Sequence, residues 1–382
     1  MKIKIKSDYL LSIQIVLLIV LSVSPVIPRG LSIMLLCALT LFSVSKGVFH
    51  NQNIDLIYVL LMIFLLLSAI LDVAHTHSGQ PYSLVNLTYP VYFTCGYFMV
   101  QNYEKKDFYR FYENIVFVLA ILSYVGMSVY FINPSLIYSF PTYEQNGVTH
   151  HTIFFFNYLF SGDWMAVRNS GIAWEPGLFQ ILLNIAFQIG IQNFDGKKRF
   201  VRVIVYVGAI LLTRSTIGYV AILINIISLI KKDKKYIVFL VVSIITFWIS
   251  IYTEISYQLT YKLVGSSAFS SRYEPLVNAI KICWYRLFGL GSTQYDFLYK
   301  SENIGSFDSY TQILIRYGYP LLILIIGRLV KMFKDGDRNI AFIIILGLCS
   351  EPIWGCVLMA AIYFLKNDVK TQYLEESNGK EN

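Results

Sequence analysis

Apolar residues run along this chain in long stretches that recur from end to end, separated by short polar or basic connections. The stretches fall at about 9–27, 31–49, 54–71, 84–101, 111–132, 176–194, 201–213, 215–230, 236–253 and 308–330, with a last one over about 339–365. A run of about 18 residues or more is long enough to cross a bilayer core. A lone strand in lipid would leave its backbone unpaired, so the pattern predicts helices. The first run follows Met1-Lys-Ile-Lys-Ile-Lys6 and ends in Ser24-Pro25-Val26-Ile27-Pro28-Arg29. No small-residue cleavage site follows it, and it reads as a retained first span.

Basic residues gather in alternate connections: Lys2, Lys4 and Lys6; Lys105, Lys106 and Arg110; Lys197, Lys198, Arg199 and Arg202; Lys231, Lys232, Lys234 and Lys235; Lys331, Lys334 and Arg338. The positive-inside rule makes all of these cytoplasmic. Residues 200–230 are then flanked by basic clusters on both sides, which predicts a hairpin of two short spans turning at Leu212-Thr213-Arg214-Ser215-Thr216. By the same logic the last stretch breaks at Glu351-Pro352, near the outer side. The expected architecture is an all-α polytopic integral membrane protein, one transmembrane domain over 1–382, with about twelve crossings and both termini cytoplasmic.

Composition agrees. The chain is 56% hydrophobic and 14% charged, whereas a soluble domain carries roughly a quarter charged residues. Its net charge of +8 reads as topology and attraction to lipid headgroups, not as a footprint for nucleic acid. Five cysteines, at 37, 95, 283, 349 and 356, show no paired spacing and read as small buried apolar residues. His75-Thr-His77 and His150-His151 lack supporting cysteine or carboxylate ligands. Asp72, Asp163 and Asp296 stand alone, with no acidic pair to bridge a metal, so neither metal nor cofactor is expected.

Two long segments fall outside, about 133–175 and 254–307. Long connections in a compact helical domain usually carry function, and both are rich in Tyr, Phe and Trp, unlike disordered chain. The second predicts a helix over about 275–288. Glu274 and Pro275 suit a helix start; Leu276, Ile280, Cys283, Trp284 and Leu287 repeat at helical spacing, and Gly289 stops it. Too short to span, it is expected on the outer membrane surface or across the mouth of the bundle.

Candidate chemistry centres on Arg168-Asn-Ser-Gly-Ile-Ala-Trp-Glu175-Pro-Gly, at the lip of a span. Charge placed there is costly and invites a functional reading. Pro176 at the first helical position makes Glu175 the N-cap. Glu175 then either caps a helix or accepts a proton, and Arg168 meets either lipid phosphate or an anionic substrate. Arg214, between two apolar half-spans, either snorkels or binds phosphate through its guanidinium fork. Arg272 precedes Glu274-Pro275 much as Arg168 precedes Glu175-Pro176, and Arg316 lies about two turns into its span. Several arginines on one side suggest a pyrophosphate. No glycine-rich nucleotide loop is present, so a glycosyl donor carried on a lipid pyrophosphate fits best, with cations stabilising the departing diphosphate.

These residues resemble the bacterial O-antigen polymerase family (Wzy-type), relatives of the O-antigen ligases. The resemblance runs in order over about 165–320. It takes in Arg168, Gly171 and Glu175-Pro176, then Leu211-Leu-Thr-Arg214-Ser-Thr-Ile-Gly218. Ser271-Arg272 with Phe288-Gly-Leu-Gly291 follows, then Ser306-Phe-Asp308-Ser-Tyr310 with Tyr317-Gly318. The ligase branch carries a His-Asn pair where this chain has Phe307-Asp308, which favours polymerase. The resemblance implies a GT-C-like, metal-free glycosyltransferase. Such enzymes join undecaprenyl-pyrophosphate-linked repeat units at the outer face of the bacterial cytoplasmic (inner) membrane. Arg168, Arg214, Arg272 and Arg316 would hold pyrophosphate or glycan, Glu175 or Asp308 would accept the acceptor proton, and Tyr310 would stack on sugar. Partners would be membrane lipid and the flippase and chain-length regulator of the same pathway. The alternatives are a ligase, a lipid-linked oligosaccharide flippase, for which internal repeats would be expected, and a non-catalytic scaffold.

Overall fold

The computed structural model describes residues 2–24, 27, 29–45, 54–75, 82–83, 85–101, 103–145, 148–153, 156–159, 168–242, 244–245, 248–249, 252, 267–302 and 308–365. Most of these are helical. In chain order the helices are α1 (Lys2–Val23), α2 (Arg29–Ser45), α3 (Leu56–His75), α4 (Val85–Val100), α5 (Lys105–Ile132), α6 (Pro176–Asn193), α7 (Gly196–Leu212) and α8 (Thr216–Lys232). They continue with α9 (Ser267–Tyr285), α10 (Ser292–Glu302), α11 (Ser309–Lys334), α12 (Arg338–Ser350) and α13 (Val357–Tyr363). Helical backbone also occurs at 237–242. Among the described residues, three helices are long and apolar enough to cross a membrane: Leu56–Val73 within α3, Lys105–Ile132 and Ser309–Lys334. Shorter apolar helices cover Tyr9–Val23, Gly30–Val44 and Arg338–Ser350.

The middle of the bundle is α6. It packs against α5, α7, α8 and α12, and every residue from Pro176 to Ile191 is buried. A helix apolar nearly all round belongs in an interior. Its polar exceptions, Gln180, Asn184 and Gln188, recur every four residues and so share a face. Along that face Asn225 of α8 donates to the Asn184 carbonyl and side-chain oxygens, both at 3.0 Å. Amide pairs of this kind join helices where apolar packing cannot discriminate between partners.

Contacts sort the helix ends into two groups. At the basic end Lys331 of α11 pairs with Asp55 just before α3, Lys105 of α5 with Asp337 (2.6 Å), and Lys232 of α8 donates to the Ile191 carbonyl of α6 (3.0 Å). Burial alone would raise the Asp55 carboxyl, but the hydrogen bond and charge of Lys331, with the charge of Arg328, outweigh it and hold it below the ordinary aspartate value. At the opposite end, called the site end below, Trp174 N–H donates to the Val23 carbonyl (3.1 Å) and the Ser22 hydroxyl accepts from Leu358 N–H (2.9 Å).

An antiparallel sheet of three short strands departs from the all-α expectation. It comprises β1 (Thr142–Gln145), β2 (Val148–Ile153) and β3 (Phe156–Leu159), ordered β1-β2-β3, with Tyr143 opposite His150 and His151 opposite Tyr158. Phe156 and Tyr158, two apart and so on one face, pack on Met127 of α5 and on Ile137. The Tyr158 hydroxyl donates to the Gly126 carbonyl (2.7 Å). Gly126 is needed there, because the Phe156 ring lies 2.2 Å from where a Cβ would stand.

Two further expectations need correction. Helix α9 begins at Ser267, so Pro275 lies inside it and not in its first turn. Cys349 is exposed and Cys37 and Cys356 are half-buried, leaving only Cys95 and Cys283 as buried small residues.

Candidate functional site

The segment from Arg168 to Glu175 is clamped by three elements. At its start the Arg168 guanidinium donates through Nε to the Thr213 carbonyl (2.9 Å) and through Nη2 to the Arg214 carbonyl (3.1 Å), while Asn169 N–H reaches the Leu212 carbonyl (3.0 Å). In its middle Asn157 of β3 donates to the carbonyls of Ile172 (2.8 Å) and Ala173 (3.2 Å). Gly171 turns the chain at φ +50°, and the Phe179 ring fills the space a Cβ would need. At its end Trp174 is tied to α1. Pro176 then opens α6, with Glu175 as N-cap.

The turn that Arg168 grips is the predicted one: α7 ends at Leu212 and α8 starts at Thr216. Arg214 has φ +49°, and among the described residues no other non-glycine has a positive φ. The turn is closed by Ser215, whose side chain accepts from Gly218 N–H (3.3 Å), and by Thr213, whose Oγ1 donates to the Ile210 carbonyl (2.7 Å). Arg214 is exposed. A non-glycine residue held in the left-handed region is a mark of functional sites. Here the strained residue is an exposed cation whose backbone carbonyl the Arg168 guanidinium holds.

The two candidate carboxylates differ. Asp308 is the N-cap of α11, and its Oδ1 accepts from Thr311 N–H (2.8 Å). Glu175 caps α6 by position only, without a side-chain capping bond. It is half-buried, and among the described residues its carboxylate has no hydrogen-bond or ion-pair partner.

A third carboxylate, Glu351, joins these helix starts. It follows α12 at the predicted break, and its carboxylate lies over Gly177, where a Cβ would sit 1.7 Å from Oε1. Ser309 Oγ donates to the Glu351 carbonyl (2.5 Å) and accepts from Ile353 N–H (2.9 Å). The α6 start, the α11 start and the α12–α13 break therefore meet. Tyr310, half-buried, follows Ser309 in the first turn of α11. Trp354, whose backbone N–H donates to Ser309 Oγ (3.2 Å), lies against Tyr89 (4.4 Å between rings) and Tyr317 (5.5 Å).

Arg316 has another occupation. It is buried, paired with Asp296 of α10 (2.8 Å), and sits over the Tyr295 ring (4.2 Å). Asp72 anchors the same region, accepting from the N–H (2.9 Å) and hydroxyl (2.7 Å) of Thr293 at the start of α10. Of Arg272, the backbone lies in α9 and the side chain falls outside the described residues, as do His77, Asp163 and Phe307. The structure thus brings Arg168 and Arg214 together and joins Asp308 and Tyr310 to the α6 start, while Arg316 belongs to the α10–α11 contact.

Neither a protein-family model, nor a curated protein, nor a solved structure matches this chain. The chemistry of the site must be read from its own residues.

In the sequence alone Glu351 marks a helix break and Asp72 stands as a solitary acid. A lone carboxylate in the last turn of an apolar helix needs a donor set, and Gly291-Ser292-Thr293 at a helix start supplies one. That pairing was the available signal.

Proposed function

We propose that this protein is a repeat-unit polysaccharide (O-antigen) polymerase, a polytopic glycosyltransferase of about twelve spans with a GT-C-like bundle. Both termini lie in the cytoplasm of a bacterium, and the site end faces away from it across the inner membrane. The gathering of basic connections at one end of the bundle supports that orientation. The observation that carries the reading is the grip of Arg168 on the turn that bears Arg214, at the start of a segment ending in Glu175, whose carboxylate has no partner among the described residues.

In the reaction, the bond between the anomeric carbon of the growing chain and its undecaprenyl pyrophosphate breaks, and the acceptor hydroxyl oxygen of the incoming lipid-linked unit forms the new glycosidic bond. Glu175 takes the hydroxyl proton, and the electron pair of the broken bond stays on the pyrophosphate. Arg214, aimed outward, meets that charge. Arg168 holds the turn that aims it. Tyr310 offers a sugar-stacking face, and Arg272 would be a further cation for the pyrophosphate. A flippase and a chain-length regulator of the same pathway would be the protein partners.

A general base contributes about 10²–10⁴-fold, so Glu175→Gln should abolish long chains while leaving single-repeat lipopolysaccharide. A full ladder from a well-expressed Glu175→Gln variant would sink the role. The deletion strain separates the alternatives: one repeat unit marks a polymerase, loss of all surface repeat a ligase, and lipid-linked units trapped inside a flippase.

A further inference from the structure

The segment 286–291 joins α9 to α10 and makes an unusual contact with α11. Helix α11 is broken at Gly318 (φ +70°, ψ −162°). Pro320 has no N–H, so the Arg316 carbonyl four residues back loses its helical donor. Gly291 N–H takes that carbonyl (3.0 Å), Leu290 N–H takes the Ile315 carbonyl (2.7 Å), and Tyr319 N–H donates in return to the Leu287 carbonyl (3.0 Å). The hairpin tip completes the broken helix.

That tip does not lie at the end of the bundle. Asp72 of α3 holds the start of α10, but Phe288 stacks near Phe64 (6.4 Å between rings), eight residues back along α3, about 12 Å nearer the basic end. Phe64 is the ninth residue of the 18-residue apolar window Leu56–Val73, its midpoint. On the inner side of α9, Ala279 and Cys283 pack with Leu314 and Ile315. On its outer side Leu276, Ile280 and Trp284 are exposed, as are Leu287 and Phe288 in the turn after it; through the Phe288–Phe64 contact they adjoin α3, where Leu60, Ile63 and Leu67 are exposed too.

We propose that α9, the 286–291 turn and α10 form a re-entrant wedge that dips into the outer leaflet beside α3 and α11, with lipid hydrocarbon as the partner of its exposed face. This rests on the membrane reading above. The Phe288–Phe64 contact with α3, an apolar helix long enough to cross a membrane, identifies the occupant, since exposed apolar residues gathered in this way mark a membrane or partner surface. Backbone inside the hydrocarbon layer must be satisfied by protein, and the three exchanged bonds with α11 do that. Lys281 and Arg286 are exposed; the Lys281 stem can carry its charge toward the headgroups, and Arg286, nearer the tip, has Gln294 of α10 as a polar partner (3.5 Å).

The test uses the full chain in phosphatidylcholine vesicles, after flotation shows that it is inserted. Trp284 emission is taken as the difference between wild type and Trp284→Phe. It is expected to fall by about half or more when the acyl chains are brominated midway along their length, with little response to aqueous iodide. Phe288→Trp, at the tip, should be quenched at least as strongly. Quenching by iodide, or by neither agent, in a chain that floats with the vesicles would overturn the wedge. The polymerase reading would be unaffected, because no substrate enters this measurement. If Phe288→Trp fails to fold, the native Trp284 signal decides alone.

Discussion

The Arg168 guanidinium donates to the backbone carbonyl of Arg214 at 3.1 Å, so one arginine holds the turn that points the other outward. The two should therefore separate by mutation. Arg214→Gly relieves a left-handed conformation that costs a non-glycine residue about 1 kcal/mol and should keep or raise the melting temperature while the polymer disappears. Arg168→Ala removes two charge-assisted bonds, each worth about 1.5–3 kcal/mol, and should lower the melting temperature as well. Thermal melts in detergent beside a lipopolysaccharide ladder read both. Long chains made by Arg214→Gly would end the proposed role of that side chain.

Asp308 is engaged with Thr311 N–H, which predicts a structural phenotype. Asparagine caps about as well as aspartate, so Asp308→Asn should leave both stability and ladder near wild type. Asp308→Ala should cost about 1 kcal/mol of stability and still make polymer. A stable Asp308→Asn protein that makes only single repeats would transfer the proposed base role from Glu175 to Asp308.

Gly318 and Gly327 lie on the same helix and should respond in opposite directions. At Gly318 a Cβ would stand 1.9 Å from the Leu287 carbonyl oxygen, on a backbone with φ +70°, so Gly318→Ala should cost about 3 kcal/mol. At Gly327 nothing lies within 4 Å, and Gly327→Ala should be neutral or stabilise by up to about 1 kcal/mol. Paired melts of the two variants test the broken helix directly.

The sheet should weaken in acid. His150 is buried and stacked on Tyr143 (4.8 Å between rings), and burial pulls its pKa below the ordinary value of 6.5. A depressed value means that the unfolded chain binds the proton more readily. The associated stability is complete above about pH 6.5 and is lost as pH falls through the folded value. Wild type should therefore lose melting temperature between about pH 7 and pH 5, and His150→Phe should lose less. An identical pH dependence in the two would rule His150 out as the cause.

What could be read from the residues was whatever depends on local pattern. The apolar runs marked the helices. Basic residues on both flanks of 200–230 and 339–365 located the turn at Arg214 and the break at Glu351, because charge placement constrains where a chain can cross. The three-stranded sheet was hidden, since its strands are short and gain their packing from Met127, in a helix before them. The start of α9 is not legible, because Pro275 resembles a first-turn proline yet sits within a helix that begins at Ser267. The pairing of Arg316 with Asp296 could not be read, because Asp296 lies on a separate helix whose approach no local pattern encodes. The same holds for Asp72 and Thr293. Arg168 and Arg214 could each be singled out as costly charges, but their sharing of one turn is a tertiary fact.

Because α6 is enclosed by α5, α7, α8 and α12, its completion has an order in time. The first three neighbours flank it in sequence and are available as soon as they are made. Helix α12 is synthesised far later and closes the remaining side. Until it arrives, α6 and the Gly177 seat of Glu351 stay open to whatever surrounds the nascent chain. Any translation product that stops short of α12 would then lack one wall around α6, the helix that Glu175 caps, however well its first eight helices are made. Quality control that removes such products would need to recognise only one thing, an α6 left uncovered.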